Sequence, residues 1–231
     1  MITIRPSAER GKQNMGWLKT QYTFSFADYY DPQFMGYKSL RVINEDYIAP
    51  QQGFGMHPHR DMEIITYIIN GEIEHTDNMG NKEVINAGEI QQMSAGTGIY
   101  HAEANPSKNV ELHLLQIWIL PNKRNVKPYY AKKQISKNRN ELNLLISSED
   151  KDDTLKIHQD AKIYAGIFDK GQKLMVNTSH DRAHWIQMIS GSLTLNNHQI
   201  DKGDGAAIEK ETALQFEVKE NAEFLLFDLQ A

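Results

Sequence analysis

Two short stretches hold the residue types that chemistry needs. "GMHPHRDME" at 55–63 carries His57 and His59, with Pro58 between them. "SAGTGIYHAEAN" at 94–105 carries His101 and Glu103 at the same spacing. Side chains at i and i+2 leave the same face of a β-strand, whereas on a helix of ~3.6 residues per turn they diverge by roughly 200°. Each pair therefore predicts a strand that aims two ligand atoms at one point. Each also follows a glycine-containing segment read as a turn, "GFG" at 53–55 and "GTG" at 96–98. On neighbouring strands of a small barrel the two pairs can converge. Three imidazoles and one carboxylate suit Fe(II), Mn(II), Ni(II), Cu(II) or Zn(II), and ligand type alone does not choose among them. A six-coordinate ion would keep two positions for water, O2 or substrate.

Other residues are weaker candidates. Glu63 reads as a fifth ligand or an acid–base group, against the plainer reading of a strand-end carboxylate. His113 lies in "ELHLLQIW", where alternation turns it towards a barrel interior and a substrate. His75, His158, His180, His184 and His198 read as surface or core-edge residues.

The elements that must position these groups are short apolar runs broken by glycine, asparagine and aspartate. Runs at 39–43, 63–69, 111–120, 162–168, 184–189 and 223–229 are β-branched or aromatic and predict strands. Helical candidates are few and short, at 24–30 and 140–147. Many strands with turns between them predict an all-β sandwich or barrel. An internal repeat follows: "TYIINGEIEH…NAGEIQQM" and "IQMISGSLTL…DKGDGAAI" share a layout of strand, glycine turn, strand, glycine–acid turn, strand. The polar stretch at 121–141 reads as the connector. Two related β-domains are expected, 1–139 and 140–231.

Composition bounds the partners. The chain has 231 residues, a formal net charge of −5 and no cysteine. Thiolate sites and disulfides are excluded. A dedicated nucleic-acid binder with a basic face is disfavoured. The N-terminus lacks an apolar core of signal-peptide length, and no run reaches the ~18 apolar residues of a membrane span. A cytoplasmic protein with no nucleic-acid and no membrane partner is expected.

The segments "GFGMHPHRDMEIITYIINGEIEHTDNMGN" and "AGEIQQMSAGTGIYHAEANP" closely resemble the pirin family of the cupin superfamily, especially bacterial pirin-like proteins with quercetin 2,3-dioxygenase activity. "GWLKTQYTFSFADYYDPQFMGYKSLRVINED" and "EFLLFDL" are similar to the same group. The resemblance implies a bicupin, two face-to-face jelly-roll-type β-barrels with the metal in the N-terminal one. The family's ligands fall on His57, His59, His101 and Glu103. The general cupin pattern would use Glu63, but pirins place the carboxylate at the position of Glu103, so Glu63 stays outside the ligand set. Ser94 stands where the general motif has proline, as is usual in pirins.

Anchoring the repeat on Gly71 and Gly191 puts Asn177 and Ser179 opposite His57 and His59. Anchoring it on Gly88 and Gly203 puts Phe216 and Val218 opposite His101 and Glu103. None is a strong ligand, so the second barrel is expected to lack metal. The function implied is cleavage of a flavonol's central ring by O2 on one divalent metal, iron first, then manganese, nickel, copper or zinc. Glu103, ahead of Glu63, would take the substrate proton. The competing reading is a redox-sensing regulatory pirin that binds a protein partner without turnover.

Overall fold

Alternating burial turns the short apolar runs into strands. Glu72–Asp77 alternates between half-buried and buried positions, and Ala213–Val218 buries Leu214, Phe216 and Val218 on one face. The computed structural model describes residues 1–136, 138–149 and 154–231. In chain order the strands begin with β1 (Ile2–Arg5), β2 (Gly11–Asn14), β3 (Leu18–Tyr22), β4 (Leu40–Ile48), β5 (Gly53–His59) and β6 (Glu63–Asn70). Next come β7 (Glu72–Asp77), β8 (Lys82–Asn86), β9 (Glu89–Ser94), β10 (Ile99–Ala104), β11 (Leu112–Ile119) and β12 (Tyr129–Gln134). The remainder are β13 (Leu142–Ser147), β14 (Leu155–Lys156), β15 (Ala161–Phe168), β16 (Lys173–Asn177), β17 (Arg182–Ser190), β18 (Ser192–Leu195), β19 (His198–Asp201), β20 (Gly205–Glu209), β21 (Ala213–Val218) and β22 (Ala222–Gln230).

The six predicted runs all fall in strands, and the described residues hold no helix beyond a 3-10 turn at Ser7–Glu9. Two expectations are corrected. Residues 24–30 form turns, with Ala27 at φ 49, and residues 142–147 of the second helical candidate are β13. The run "LNLLIS" is a strand because β15 offers it a partner. The stretch read as a connector also contains β12, which pairs with β9.

The chain forms two units. One comprises Gly11–Ile135 and Ile157–Gln159; the other comprises Met1–Arg10, Ser136–Lys156 and Asp160–Ala231. The first ten residues thus go with the C-terminal half, where β1 pairs with β20. The first unit has a seven-stranded sheet, β12-β9-β6-β11-β4-β3-β2, and a four-stranded sheet, β5-β10-β7-β8. The second unit repeats the plan with β1-β20-β17-β22-β15-β13-β14 and β16-β21-β18-β19.

Register makes the repeat quantitative. Thr66 pairs with Gln91 and Gln116; Ile186 pairs with Ala206 and Leu226. Glu103 pairs with His75, four residues past Gly71; Phe216 pairs with Leu195, four past Gly191. Leu214 and Phe216, not Phe216 and Val218, therefore stand at the positions of His101 and Glu103. The slip has a local cause: shorter turns in the second unit move β21 against the Gly88–Gly203 anchor. The one that matters here is the β20–β21 connection at 210–212, shorter than the β9–β10 connection at 95–98.

In the first unit the inward face of β6 reads Ile64, Thr66, Ile68 and that of β11 reads Leu112, Leu114, Gln116, Trp118. Ile68, Leu112 and Leu114 join one apolar cluster, while Ile64 joins a second against which Trp118 packs. A polar layer lies along the strands between them. In the second unit the matching residues, Ile186, Leu195, Ala206, Leu214, Phe216 and Leu226, all belong to one continuous apolar cluster.

The two repeat glycines differ in their surroundings. Both have positive φ, but a Cβ on Gly191 would fall 2.0 Å from the Asn221 carbonyl oxygen, whereas one on Gly71 would meet Leu112 Cα at 3.1 Å. Gly191→Ala should destabilise the C-terminal unit by roughly 3 kcal/mol, combining left-handed strain with backbone displacement, and Gly71→Ala by about 1 kcal/mol. Urea unfolding of both variants checks the order; equal losses would contradict it.

Candidate metal centre

His57 and His101 are direct partners across β5 and β10. His59 follows on the same face of β5, and the three rings close on one another with centroids 4.5–4.9 Å apart. Their donor atoms lie within 4.8 Å of one another. The glycines of "GFG" are not in a turn: they are in β5 itself, where a Cβ on Gly53 would sit 2.3 Å from the Glu103 carbonyl oxygen. Gly53 thus allows β5 to approach β10 closely. "GTG" is a turn, with Gly96 at φ 47 and Gly98 at φ 135.

Glu103 belongs to a second donor group, with His101 and His75, that shares His101 with the first. Its carboxylate also lines the same cavity as His57 and His59. Gln91 and Thr66 donate to Oε1, and Gln116 donates to Oε2 at 2.8 Å. Two amides and a hydroxyl thus fix an acid that is 2% exposed.

His101 is 1% exposed, and neither of its ring nitrogens has a hydrogen-bond partner among the described residues. An orphaned buried imidazole is costly, on the order of 1–3 kcal/mol, and its neighbours are two further imidazoles. His57 donates Nδ1–H to the Gly55 carbonyl at 2.7 Å, which leaves Nε2 as a lone pair. This donor set fits a divalent transition metal: His57, His59 and His101 form one donor group, and Glu103 connects to it through the shared His101.

Sequence reasoning missed the support. His75 is fully buried, donates Nε2–H to Asp77 at 3.1 Å and stacks on Tyr130 at 4.3 Å. Its Nδ1 has no partner among the described residues. Asp77 is held in turn by Asn81 and the Met79 amide. The signal was present in "EIEHTD", whose alternation buries Ile73, His75 and Asp77 together.

The weaker candidates go elsewhere. Glu63 is 1% exposed and accepts bonds from Gln92 and Ser94, both at 2.7 Å, and from His158 at 3.1 Å. It does not line the cavity. Burial raises its pKa. His113 stacks on Tyr47 at 4.0 Å and donates to Glu45 at 2.9 Å, away from the cavity. The cavity measures about 490 Å³; Trp17, Phe26, Phe54 and Trp118 wall it, with Asn44 and Gln116 among its polar groups.

Comparison with known proteins follows this geometry. The family model described as Pirin matches residues 3–119, and that described as Quercetinase C-terminal cupin domain matches 144–229. Quercetin 2,3-dioxygenase of Escherichia coli (strain K12) is 46% identical over 229 residues, covering 99% of each chain. A putative quercetin 2,3-dioxygenase of Pasteurella multocida is 46% identical over 233 residues, covering 99% of this chain and all of its own. The solved structure of the bacterial pirin YhhW from Escherichia coli in complex with nickel(II) superposes with a TM-score of 0.96 at 46% identity, covering 100% of this chain and 99% of that one.

The rings also govern stability. Burial first, then repulsion from neighbouring imidazoles, lowers His59 to about 4 and His101 to about 3. The unfolded chain binds protons near pH 6.5 that the native metal-free site refuses. The stability contribution is therefore complete above pH 6.5 and is lost as pH falls towards the folded values. Between pH 7 and pH 5 each ring should cost on the order of 1–2 kcal/mol, from 1.36 kcal/mol per unit. Urea titrations in chelator at both pH values check this. His101→Gln should flatten the slope; a pH-independent stability would refute the assignment.

Proposed function

The chain belongs to the pirin family, and from that premise we propose that it is a metal-dependent dioxygenase that opens the central ring of a flavonol such as quercetin with O2. The observation carrying this reading is the His57, His59 and His101 cluster, with its orphaned buried imidazole, at the wall of an aromatic cavity. The names of the 46% identical relatives support the reaction class. We take His57, His59, His101 and Glu103 as the ligands of one divalent metal. Iron is our first choice, and nickel is the ion of the related YhhW structure. When bound, that metal supplies Lewis acidity that lowers the pKa of a substrate hydroxyl.

The chain's own groups do the rest. Three neutral imidazoles and one carboxylate leave a divalent site with formal charge +1, which selects an ionised flavonol oxygen over the neutral hydroxyl. Glu103 accepts the hydroxyl proton on a carboxylate whose orientation Gln91, Gln116 and Thr66 fix. Trp118 and Phe26, whose rings meet edge to face at 5.3 Å, exclude water and bound a flat aromatic substrate. Asn44 Oδ1 and Trp118 Nε1 are buried without partners among the described residues and offer an acceptor and a donor to substrate hydroxyls. Both atoms of O2 end in the ring-opened ester, and the ring carbon that bears the hydroxyl leaves with its own oxygen as carbon monoxide.

His57→Ala should abolish both metal content, read by elemental analysis, and loss of quercetin absorbance with O2 uptake. Glu103→Gln should lower kcat by ~10²–10⁴ if it moves the proton. Full turnover by metal-free protein would end this proposal, and no turnover with any first-row metal would favour the regulatory alternative. His75→Phe should weaken metal binding by about 10–100-fold by removing a donor from the His75, His101 and Glu103 group; competition with a fluorescent chelator measures this without turnover.

A further inference from the structure

The second unit keeps an open cavity at the equivalent end of its barrel. Ile64 pairs with Trp118 in the first unit; the same register pairs His184 with Asp228 in the second. Polarity is thus inverted between the repeats. The first is polar in its middle layer and apolar at this level, while the second is apolar in the middle and polar here. A cavity of about 570 Å³ opens at this level, lined by groups from β15, β16, β17 and β22.

Its chemistry excludes two ligand classes. In register, Val176 stands at the position of His57, Leu214 at that of His101 and Phe216 at that of Glu103, and no transition-metal donor group falls there among the described residues. Arg182 is committed to Asp228 at 2.7 Å and to Asp160 at 2.9 Å. Three lining carboxylates, Glu149, Asp160 and Asp228, outnumber Lys162 and Arg182, which disfavours an anion. What remains is a ring of paired donors and acceptors. His184 is buried and kept neutral by that burial, with Nε2 3.4 Å from Thr178 Oγ1. Asn177 offers an amide at the rim, and Leu226 and Val176 form an apolar wall.

We propose that this cavity is a second, metal-free binding site for an uncharged ring bearing adjacent hydroxyl groups. Each hydroxyl both donates and accepts, and a planar arginine–carboxylate pair presents both functions side by side. Leu226 and Val176 take the apolar face of the ring. A saccharide and a catechol share this chemistry.

The test uses the full chain carrying His57→Ala, which leaves the second site as the one under observation. Methyl hexosides, methyl 6-deoxyhexosides, catechol and inorganic phosphate are titrated by ligand-observed NMR and calorimetry. At least one hydroxylated probe should bind once per chain with a Kd near or below about 1 mM. Asn177→Leu and Asp160→Ala, at exposed positions and with melting temperatures unchanged, should each weaken binding at least tenfold. Glycoside binding alone identifies a sugar site and catechol binding alone an aromatic one. Absence of binding, binding that survives both substitutions, or binding of phosphate alone overturns the proposal. None of these results depends on turnover at the metal centre.

Discussion

A polar layer across the inside of a β-barrel is stable only when every group in it has a partner. Desolvating an unpaired hydroxyl, amide or imidazole costs on the order of 1–3 kcal/mol. In the first unit Thr66, Gln91 and Gln116 serve Glu103, and Asp77 serves His75. His101 alone keeps two unpartnered nitrogens at the centre of this network. Together with the unpartnered Nδ1 of His75, that debt is itself evidence of what the layer is built to hold. Both Glu103 oxygens face donors, Gln91 and Thr66 on one side and Gln116 on the other.

The second unit answers the same constraint in the opposite way. Strand order and register are retained, yet each polar member of the layer has an apolar counterpart: Ile186 for Thr66, Ala206 for Gln91, Leu226 for Gln116, Leu195 for His75, Phe216 for Glu103. A mixed solution, with one imidazole among leucines, would strand a polar group. The exchange therefore has to involve the whole layer, and the single apolar cluster of the C-terminal unit shows that it does.

Much of this was legible in the sequence because β-structure has a period of two. The spacing of His57 with His59 and of His101 with Glu103 fixes the face of each pair whatever the exact strand ends. The same rule would have placed His75 and Asp77 inside, since they alternate with Ile73. It was obscured because a lone histidine in a polar stretch reads as surface. Glu63 and His113 show the opposite failure. Alternation says which face a residue takes but not who waits there, and for these two the neighbours are His158 and Glu45. Residues 142–147 read as helical because a short apolar run has no periodicity of its own; β15 decides the matter. The slip of the repeat by two residues came from turn lengths, which carry no hydrophobic pattern.

Layer inversion also explains why the two cavities differ although both open at the same level of a common plan. Where the middle of a barrel is polar, the level above it can be apolar, and Trp118, Phe26 and Ile64 there line the cavity beside His57 and His59. Where the middle is sealed by Phe216 and Leu214, nothing beneath needs shielding. Polar residues above it then sit over a dry floor while keeping contact with solvent, which relieves the cost of placing Arg182, His184 and Asp228 so close together. The first arrangement suits chemistry that must exclude water; the second suits reversible recognition of a hydroxylated ring. Both follow from one choice, made strand by strand, about which layer of the barrel is allowed to be polar.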